Sequence, residues 1–309
     1  MVWSLSEAAA ARFEFLEEAT STNDVLRERI AADPLGWQHG SVIVTDNQTQ
    51  GKGRLGRRWL APTGKTLAIS IGVRWPHPGI AGDVTNREDS EWDVPTAAAA
   101  GWIPLIAGAA MTETVREVLE RSASAVVDQV AHRELGTTAR EVLDTSDEHP
   151  DARAGLSVNL KWPNDVLIAG YKVCGILCEV VPGGIIIGAG LNLTLDEHDL
   201  PTLTSTSLLL ATGRAPEGDQ VLADYLHRLL WRLNQFCAAA GDAGQSGIAR
   251  WVSGMCGTLG TEVRVELPGG GDLFGRAERL DADGRLVVIN RENGNAQVVA
   301  AGDVTHVRY

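Results

Sequence analysis

The chain reads as an α+β protein: a mixed sheet with helices mainly on one face, followed by a small β-barrel. Three observations carry this reading. Apolar, β-branched runs at 41–45, 67–73 and 185–187 have strand character, and segments at 104–120 and 219–239 show helical apolar spacing. After Cys256 the composition shifts to short alternating strands separated by Gly-rich turns. Two units are therefore expected, residues 1–257 and 258–309, with polar insertions at about 76–96 and 122–155 in the first.

Taken in order, residues 12–17 alternate Phe13 and Phe15 with charged neighbours, the pattern of a strand with one buried face. The run Thr20-Ser21-Thr22-Asn23-Asp24 suits capping of the next helix, whose apolar face is Val25, Leu26 and Ile30 and which Asp33-Pro34 ends. Five consecutive capping-type residues exceed what one cap needs, so some of these groups are candidates to face a polar ligand. Strands follow at 41–45 and 67–73. Pro104 suits the first turn of a helix running to about Glu120.

Strand character returns at 156–160, leading into Lys161-Trp162-Pro163-Asn164-Asp165 and a hairpin turned at Ala169-Gly170. That hairpin brings Asp165 toward Lys172. An ordinary surface ion pair is the plain reading of such a juxtaposition. Gly175 within a strand and the glycines of Gly188-Ala189-Gly190-Leu191-Asn192 permit close backbone approach. The helix at 219–239 is a packing helix, and His227 on it is structural.

Between the second and third strands lies Gln-Thr-Gln-Gly-Lys-Gly-Arg-Leu-Gly-Arg-Arg-Trp, residues 48–59. Gly51, Gly53 and Gly56 give the backbone freedom to adopt positive φ, while Lys52, Arg54, Arg57 and Arg58 converge on an anion such as phosphate or carboxylate. The spacing also satisfies Gly-x-Gly-x-x-Gly, but Pro62 and Gly64 interrupt the helix that a dinucleotide fold requires there. No kinase sequence follows downstream, and Gly64-Lys65-Thr66 lacks the first glycine of a phosphate-binding P-loop.

The net charge of −13 argues against broad nucleic-acid binding, which makes the basic cluster a local feature. Four cysteines without a Cys-x-x-Cys pair and seven scattered histidines give no metal-ligand spacing. The start of the chain has neither a secretory pattern nor a long apolar run, so a cytoplasmic protein is expected.

Taken together, Ser21-Thr22-Asn23, the Gly-Lys-Gly-Arg-Leu-Gly-Arg-Arg-Trp loop, Lys161-Trp162-Pro163-Asn164-Asp165, Lys172-x-x-Gly175-Ile176-Leu177 and Gly-Ala-Gly-Leu-Asn resemble the biotin protein ligases, in order and spacing, over roughly residues 12–305. The resemblance implies a class II synthetase-like catalytic domain with an SH3-like barrel. It implies ATP and biotin as substrates, Mg²⁺ accompanying the ATP, a biotinyl-5′-adenylate intermediate, and transfer to a lysine of a biotin carboxyl carrier protein domain. By the same resemblance, Ser21, Thr22, Asn23, Gln48, Lys52, Gly53, Arg54, Lys172 and Gly175 bind biotin. Gly51, Arg57, Trp59, Asn164, Asp165 and Asn192 bind the nucleotide, with Trp59 as a stacking face for adenine and Mg²⁺ near Asp165. Arg54, Lys172 and Asp165 are the catalytic candidates, which gives the Asp165–Lys172 pair a functional reading.

One departure from the family pattern is Lys52, where arginine is usual; an ammonium lacks the bidentate fork, which weakens the side-chain grip, and nothing is lost if the backbone N–H makes the contact. Only twenty residues precede Ser21, so no DNA repression is expected, and without a long apolar run no membrane attachment is expected. The competing readings are a lipoate or octanoate ligase, which shares the fold and the acyl-adenylate logic, and a non-catalytic biotin-binding protein. The oligomeric state and the acceptor carboxylase are left open by the sequence.

Overall fold

A computed structural model describes residues 2–76, 92–134, 156–267 and 270–306. The centres of both expected insertions, residues 77–91 and 135–155, lie outside the described residues. In chain order the first domain contains α1 (Ser4–Ala9), β1 (Arg12–Leu16), α2 (Thr22–Ala32), β2 (Ser41–Thr45), β3 (Gln48–Lys52), β4 (Arg58–Ala61), β5 (Thr66–Pro76), β6 (Trp92–Asp93) and α3 (Ala97–Glu134). It continues with β7 (Val158–Lys161), β8 (Asp165–Ile168), β9 (Tyr171–Val181), β10 (Gly184–Asn192), α4 (Leu208–Thr212), α5 (Gly218–Ala238) and α6 (Ile248–Met255).

The main sheet is mixed. Its strand order is β1-β2-β5-β10-β9-β8-β7, with β6 appended to β5. Only β1 and β2 run parallel, joined by α2 as a crossover; the other pairings are antiparallel. The period-two alternation of strands assigns each face. On one face Leu67, Ile69, Ile71 and Val73 of β5 and Ile185, Ile187, Ala189 and Leu191 of β10 are buried in the large core shared with α3 and α5. On the other, Ile43 and Ile186 pack against Leu26 of α2, and beside them the same strands carry Ser70, Gly188 and Gly190. Helices thus cover mainly one face, and the small residues on the other leave space for a site.

Two expectations about α3 are corrected. The helix starts at Ala97, so Pro104 lies inside it, and it runs on to Glu134 rather than stopping near Glu120. Trp102, Ile103, Leu105, Ile106, Ala107, Ala109, Ala110 and Met111 are all buried. A helix enclosed on most sides carries no amphipathic stripe from which to read its ends. The short helices α1 and α6 were also missed. Helix α1 is held from a distance, since the Leu5 and Ser6 amides donate to the Asp219 carboxylate at 3.0 and 2.8 Å.

The C-terminal unit is an antiparallel sheet of β11 (Glu262–Glu266), β12 (Asp272–Leu280), β13 (Leu286–Asn290), β14 (Ala296–Val299) and β15 (Asp303–His306), in the order β14-β13-β12-β11-β15. Strand β15 was not foreseen. No bonding between β14 and β15 closes a barrel among the described residues, so the expected SH3-like unit is an open five-stranded sheet. Its β12–β13 turn is bonded to the first domain: the indoles of Trp102 and Trp162 donate to the carbonyls of Ala282 and Gly284 at 2.8 and 3.1 Å. The Trp162 amide also donates to Thr258 Oγ1 at 3.0 Å. No described helix is long and apolar enough to cross a membrane, and the four cysteines form no disulfide.

Trp162 is 2% exposed, so its indole bond to Gly284 is made out of water. Replacing it with Phe leaves that carbonyl unsatisfied, and Trp162→Phe is expected to lower unfolding stability by ~1–3 kcal/mol in urea titration.

Candidate functional site

A cavity of about 780 Å³ opens on the α2 face of the sheet. It is bounded by the start of α2, the β3–β4 hairpin, the β8–β9 turn and β15. Every candidate residue from the sequence lines it except Gly51 and Asn192.

The floor is a strip of small residues. Gly190 of β10 stands directly opposite Gly175 of β9, and the indole of Trp59 lies over the pair. A Cβ on Gly190 would sit 2.3 Å from Trp59 Cε2, so only glycine admits the ring there. Gly51 acts behind the ring: a Cβ on it would meet the Trp59 carbonyl at 2.4 Å, which keeps the hairpin tight from outside the cavity. Of the three loop glycines only Gly56 takes a positive φ, 74°; Gly51 serves close approach, a correction to the expectation of uniform flexibility.

The closed end is neutral and polar. Ser21, Thr22 and Asn23 are buried there, but Ser21 makes no side-chain capping bond to α2, so the capping role expected of it is not observed. Instead Gln48 Oε1 accepts from the Thr22 amide at 2.9 Å and from its hydroxyl at 3.2 Å. Asn23 accepts from Ser70 Oγ at 2.6 Å and donates to Glu179 at 2.7 Å.

The mouth is cationic. Arg54 is half-buried and donates to Asn164 Oδ1 at 3.0 Å; burial pushes its guanidinium down from its ordinary pKa, against the pull of Asp165 and Asp303. Asn164 is itself fixed by donating to the Ile176 carbonyl at 2.7 Å. Lys172 Nζ meets Asp165 Oδ1 at 2.6 Å, the hairpin contact foreseen from the spacing, and lies 5.7 Å from the centre of the Trp59 ring. Trp59 Nε1 is buried without a hydrogen-bond partner among the described residues, which leaves an indole donor for a ligand. Asn192 lies just beyond the cavity, donating to the Thr206 carbonyl at 2.8 Å, and its own Oδ1 has no hydrogen-bond partner among the described residues.

Two loop cations are paired at the rim of the cavity. Lys52 places its ammonium on Asp24 at 2.6 Å. Asp24 also pairs with Arg27; burial alone would raise its pKa, but Lys52 and Arg27 together hold it below the usual carboxylate value. Arg57 pairs with Asp303 of β15, which raises the guanidinium. For Asp303, burial pushes upward and is outweighed by Arg57, so the carboxyl ends below its ordinary value.

Sequence reading missed Ser70, Lys161, Glu179 and Asp303. Ser70 had a local signal, a polar residue inside an otherwise apolar strand. Asp303 had none, because β15 reaches the cavity only through the tertiary fold.

Residues 15–101 and 103–196 match the Biotin/lipoate A/B protein ligase family, and residues 258–307 match the biotin protein ligase C-terminal domain. The chain is 34% identical to a biotin–[acetyl-CoA-carboxylase] ligase of Mycobacterium tuberculosis over 96% of this chain and 90% of that one. It is 25% identical to the bifunctional ligase/repressor BirA of Bacillus subtilis, over 82% of this chain and 62% of that protein. In fold it is similar to a biotin protein ligase from Aquifex aeolicus in complex with biotin and ATP, with TM-score 0.64 and 22% identity over 97% of this chain and 100% of that one.

The Arg57–Asp303 pair gives a signed pH dependence. A carboxyl held below the ~3.9 of an unfolded aspartate stabilises fully above that value, and the contribution is lost as pH falls through the folded one. Asp303→Asn is expected to lower the melting temperature at neutral pH, and its gap from wild type should close as the pH is brought below about 4. Thermal melts across that range check this.

Proposed function

The chain belongs to the Biotin/lipoate A/B protein ligase family and has the activity of an ATP-dependent biotin protein ligase; we propose that biotin is activated in the cavity on the α2 face and leaves it for a carrier lysine. One observation carries this assignment. A single cavity joins a buried, neutral polar end at Ser21, Thr22 and Asn23 to a cationic mouth at Arg54 and Lys172. Biotin has that layout, a polar ureido ring at one end of an apolar chain and a carboxylate at the other. An alkyl or dithiolane acid would bring no polar group to meet the remaining hydrogen-bonding capacity of this buried end, which disfavours octanoate and lipoate.

In the first step a carboxylate oxygen of biotin bonds to the α-phosphorus of ATP. The bond from that phosphorus to the bridging oxygen breaks, and pyrophosphate leaves with the electron pair. In the second step a lysine amine attacks the acyl carbon, AMP departs with the C–O electron pair, and the amine releases its proton to solvent. The chain supplies no nucleophile. It supplies position and positive charge. Arg54 and Lys172 stabilise the oxyanions of the acyl-phosphate, and Asp165 orients Lys172 through their ion pair. Gly53 and Gln48 shape the pocket around the acid, and the Trp59 indole offers both a stacking face and an unpaired N–H to the adenylate.

Mg²⁺ is assigned to the triphosphate as part of the substrate. Among the described residues no group of three His, Cys, Asp or Glu side chains could hold a metal. Asp165 is the carboxylate we assign beside it.

The carrier's approach is assigned to the edge of β9. Pairing of β8 with β9 ends at Asp165 opposite Gly175, and the Ile176 amide and carbonyl are met by Asn164. Cys178 and Val180 share the parity of Ile176, so their N–H and C=O groups point past the end of β8. A second hollow of about 470 Å³ runs along this edge, from Arg54 and Asn164 to Asp283 of the C-terminal unit. An extended carrier segment that pairs there presents its lysine to the mouth of the cavity. The proposed carrier is the biotin carboxyl carrier domain of an acyl-CoA carboxylase, and the proposed compartment is the cytoplasm.

Biotinyl-adenylate, isolated after mixing the chain with biotin and ATP and identified by mass, tests the first half-reaction directly. Lys172→Ala is expected to reduce biotin-dependent pyrophosphate exchange by ~10²–10³-fold, as for loss of one preorganised donor. Val180→Pro, which removes an edge N–H, is expected to lower transfer to the carrier about tenfold while leaving pyrophosphate exchange intact. Assays of the two half-reactions separate these effects.

A further inference from the structure

The side-chain amide of Asn23 can face the cavity with either its oxygen or its nitrogen, and the two choices recognise opposite ligands. We infer that Glu179 makes that choice: its carboxylate turns the Asn23 oxygen toward the bound acid and so selects for a ring that donates N–H groups. The inference rests on the biotin reading above and adds to it a residue that fixes the specificity of the polar end.

Glu179 lies on β9 and its Oε2 accepts from Asn23 Nδ2 at 2.7 Å. A carboxylate can only accept, so the nitrogen end must be the one that faces it. The Leu177 carbonyl, another group without a donor, stands on the same side at 3.4 Å from Nδ2. The oxygen end is thereby directed to Ser70, whose hydroxyl donates to it at 2.6 Å. The amide as a whole lies against Gly188 of the floor, with Oδ1 2.6 Å and Nδ2 3.0 Å from where a Cβ on that glycine would stand.

Ser70 is fully buried and spends its only proton on Asn23, so it has no donor left for a ligand. Thr22 likewise spends its hydroxyl proton on Gln48. The spare hydrogen-bonding capacity around Asn23 is therefore that of acceptors. A cyclic urea satisfies them with its two N–H groups, and an acid without N–H groups leaves them buried and unpaired.

Glu179 is in turn anchored. Its Oε1 pairs with Arg27 at 3.0 Å, Arg27 with Asp24 at 2.6 Å, and Asp24 with Lys52 of the loop at 2.6 Å. Glu179 is a positioning residue, since its carboxylate acts on the ligand through the Asn23 amide.

The test uses the full chain and the biotin KM in pyrophosphate release. Glu179→Met keeps the volume but removes the acceptor, and Glu179→Ala removes both. Each is expected to raise the KM for biotin about tenfold or more, with kcat and the KM for ATP little changed. The decisive variant adds Asn23→Asp to Glu179→Met: aspartate offers oxygen at both ends, so whichever way it turns the cavity receives an acceptor. That double variant is expected to recover most of the biotin KM, whereas Asn23→Asp alone, set against Glu179, is expected to damage it. A merely structural Glu179 predicts no rescue, and either that result or an unchanged biotin KM in both single variants at Glu179 overturns the inference. If the wild-type chain releases no pyrophosphate with biotin, the functional reading fails first and this inference falls with it.

Discussion

Close approach to two neighbouring strands is the constraint on which the rest of this molecule depends. β9 and β10 have to bury aliphatic side chains under α3 on one face while leaving almost no side chains on the other. The sequence of β10 meets both demands by alternation, with Ile187, Ala189 and Leu191 toward the core and Gly188 and Gly190 toward the cavity. Gly175 extends the bare strip across to β9. The indole of Trp59 and the amide of Asn23 can then lie almost on the backbone, which leaves the cavity between sheet and loop.

The second constraint is charge. A protein of net charge −13 must gather cations at one point to bind an acid and a nucleotide. It does so on a loop whose own repulsion is offset from two sides, by Asp24 of α2 on Lys52 and by Asp303 of the C-terminal sheet on Arg57. Both pairs are partly exposed, so each contributes little stability. Their value is geometric: with Lys52 and Arg57 occupied, Arg54 and Lys172 are left turned inward. The C-terminal sheet is thus part of the site, because β15 brings Asp303 to the loop and the β12–β13 turn is bonded to Trp102 and Trp162.

The parts of this arrangement legible in the sequence were those written in local patterns. Strand alternation gave the sheet, the Ala169-Gly170 turn gave the Asp165–Lys172 contact, and the glycine-rich basic loop gave the cationic wall of the cavity. What escaped was decided by tertiary contact. Helix α3 is enclosed on most sides and so shows no period; α1 is held by Asp219, more than two hundred residues away in sequence. Glu179 reads as an ordinary strand carboxylate until α2 brings Asn23 and Arg27 against it. Lys52 looks like a ligand-facing cation until Asp24 is found within reach. A sequence lists which charges are available, and only the fold says which of them are already spent.

The measurement that tests the account most directly is exchange of labelled pyrophosphate into ATP by the pure chain, run separately with biotin, lipoate, octanoate and no acid. The polar closed end and cationic mouth predict exchange with biotin and little with the other acids. Exchange with lipoate or octanoate in preference to biotin would contradict the assignment of the closed end to a ureido ring. Exchange with no acid at all would contradict the activity itself.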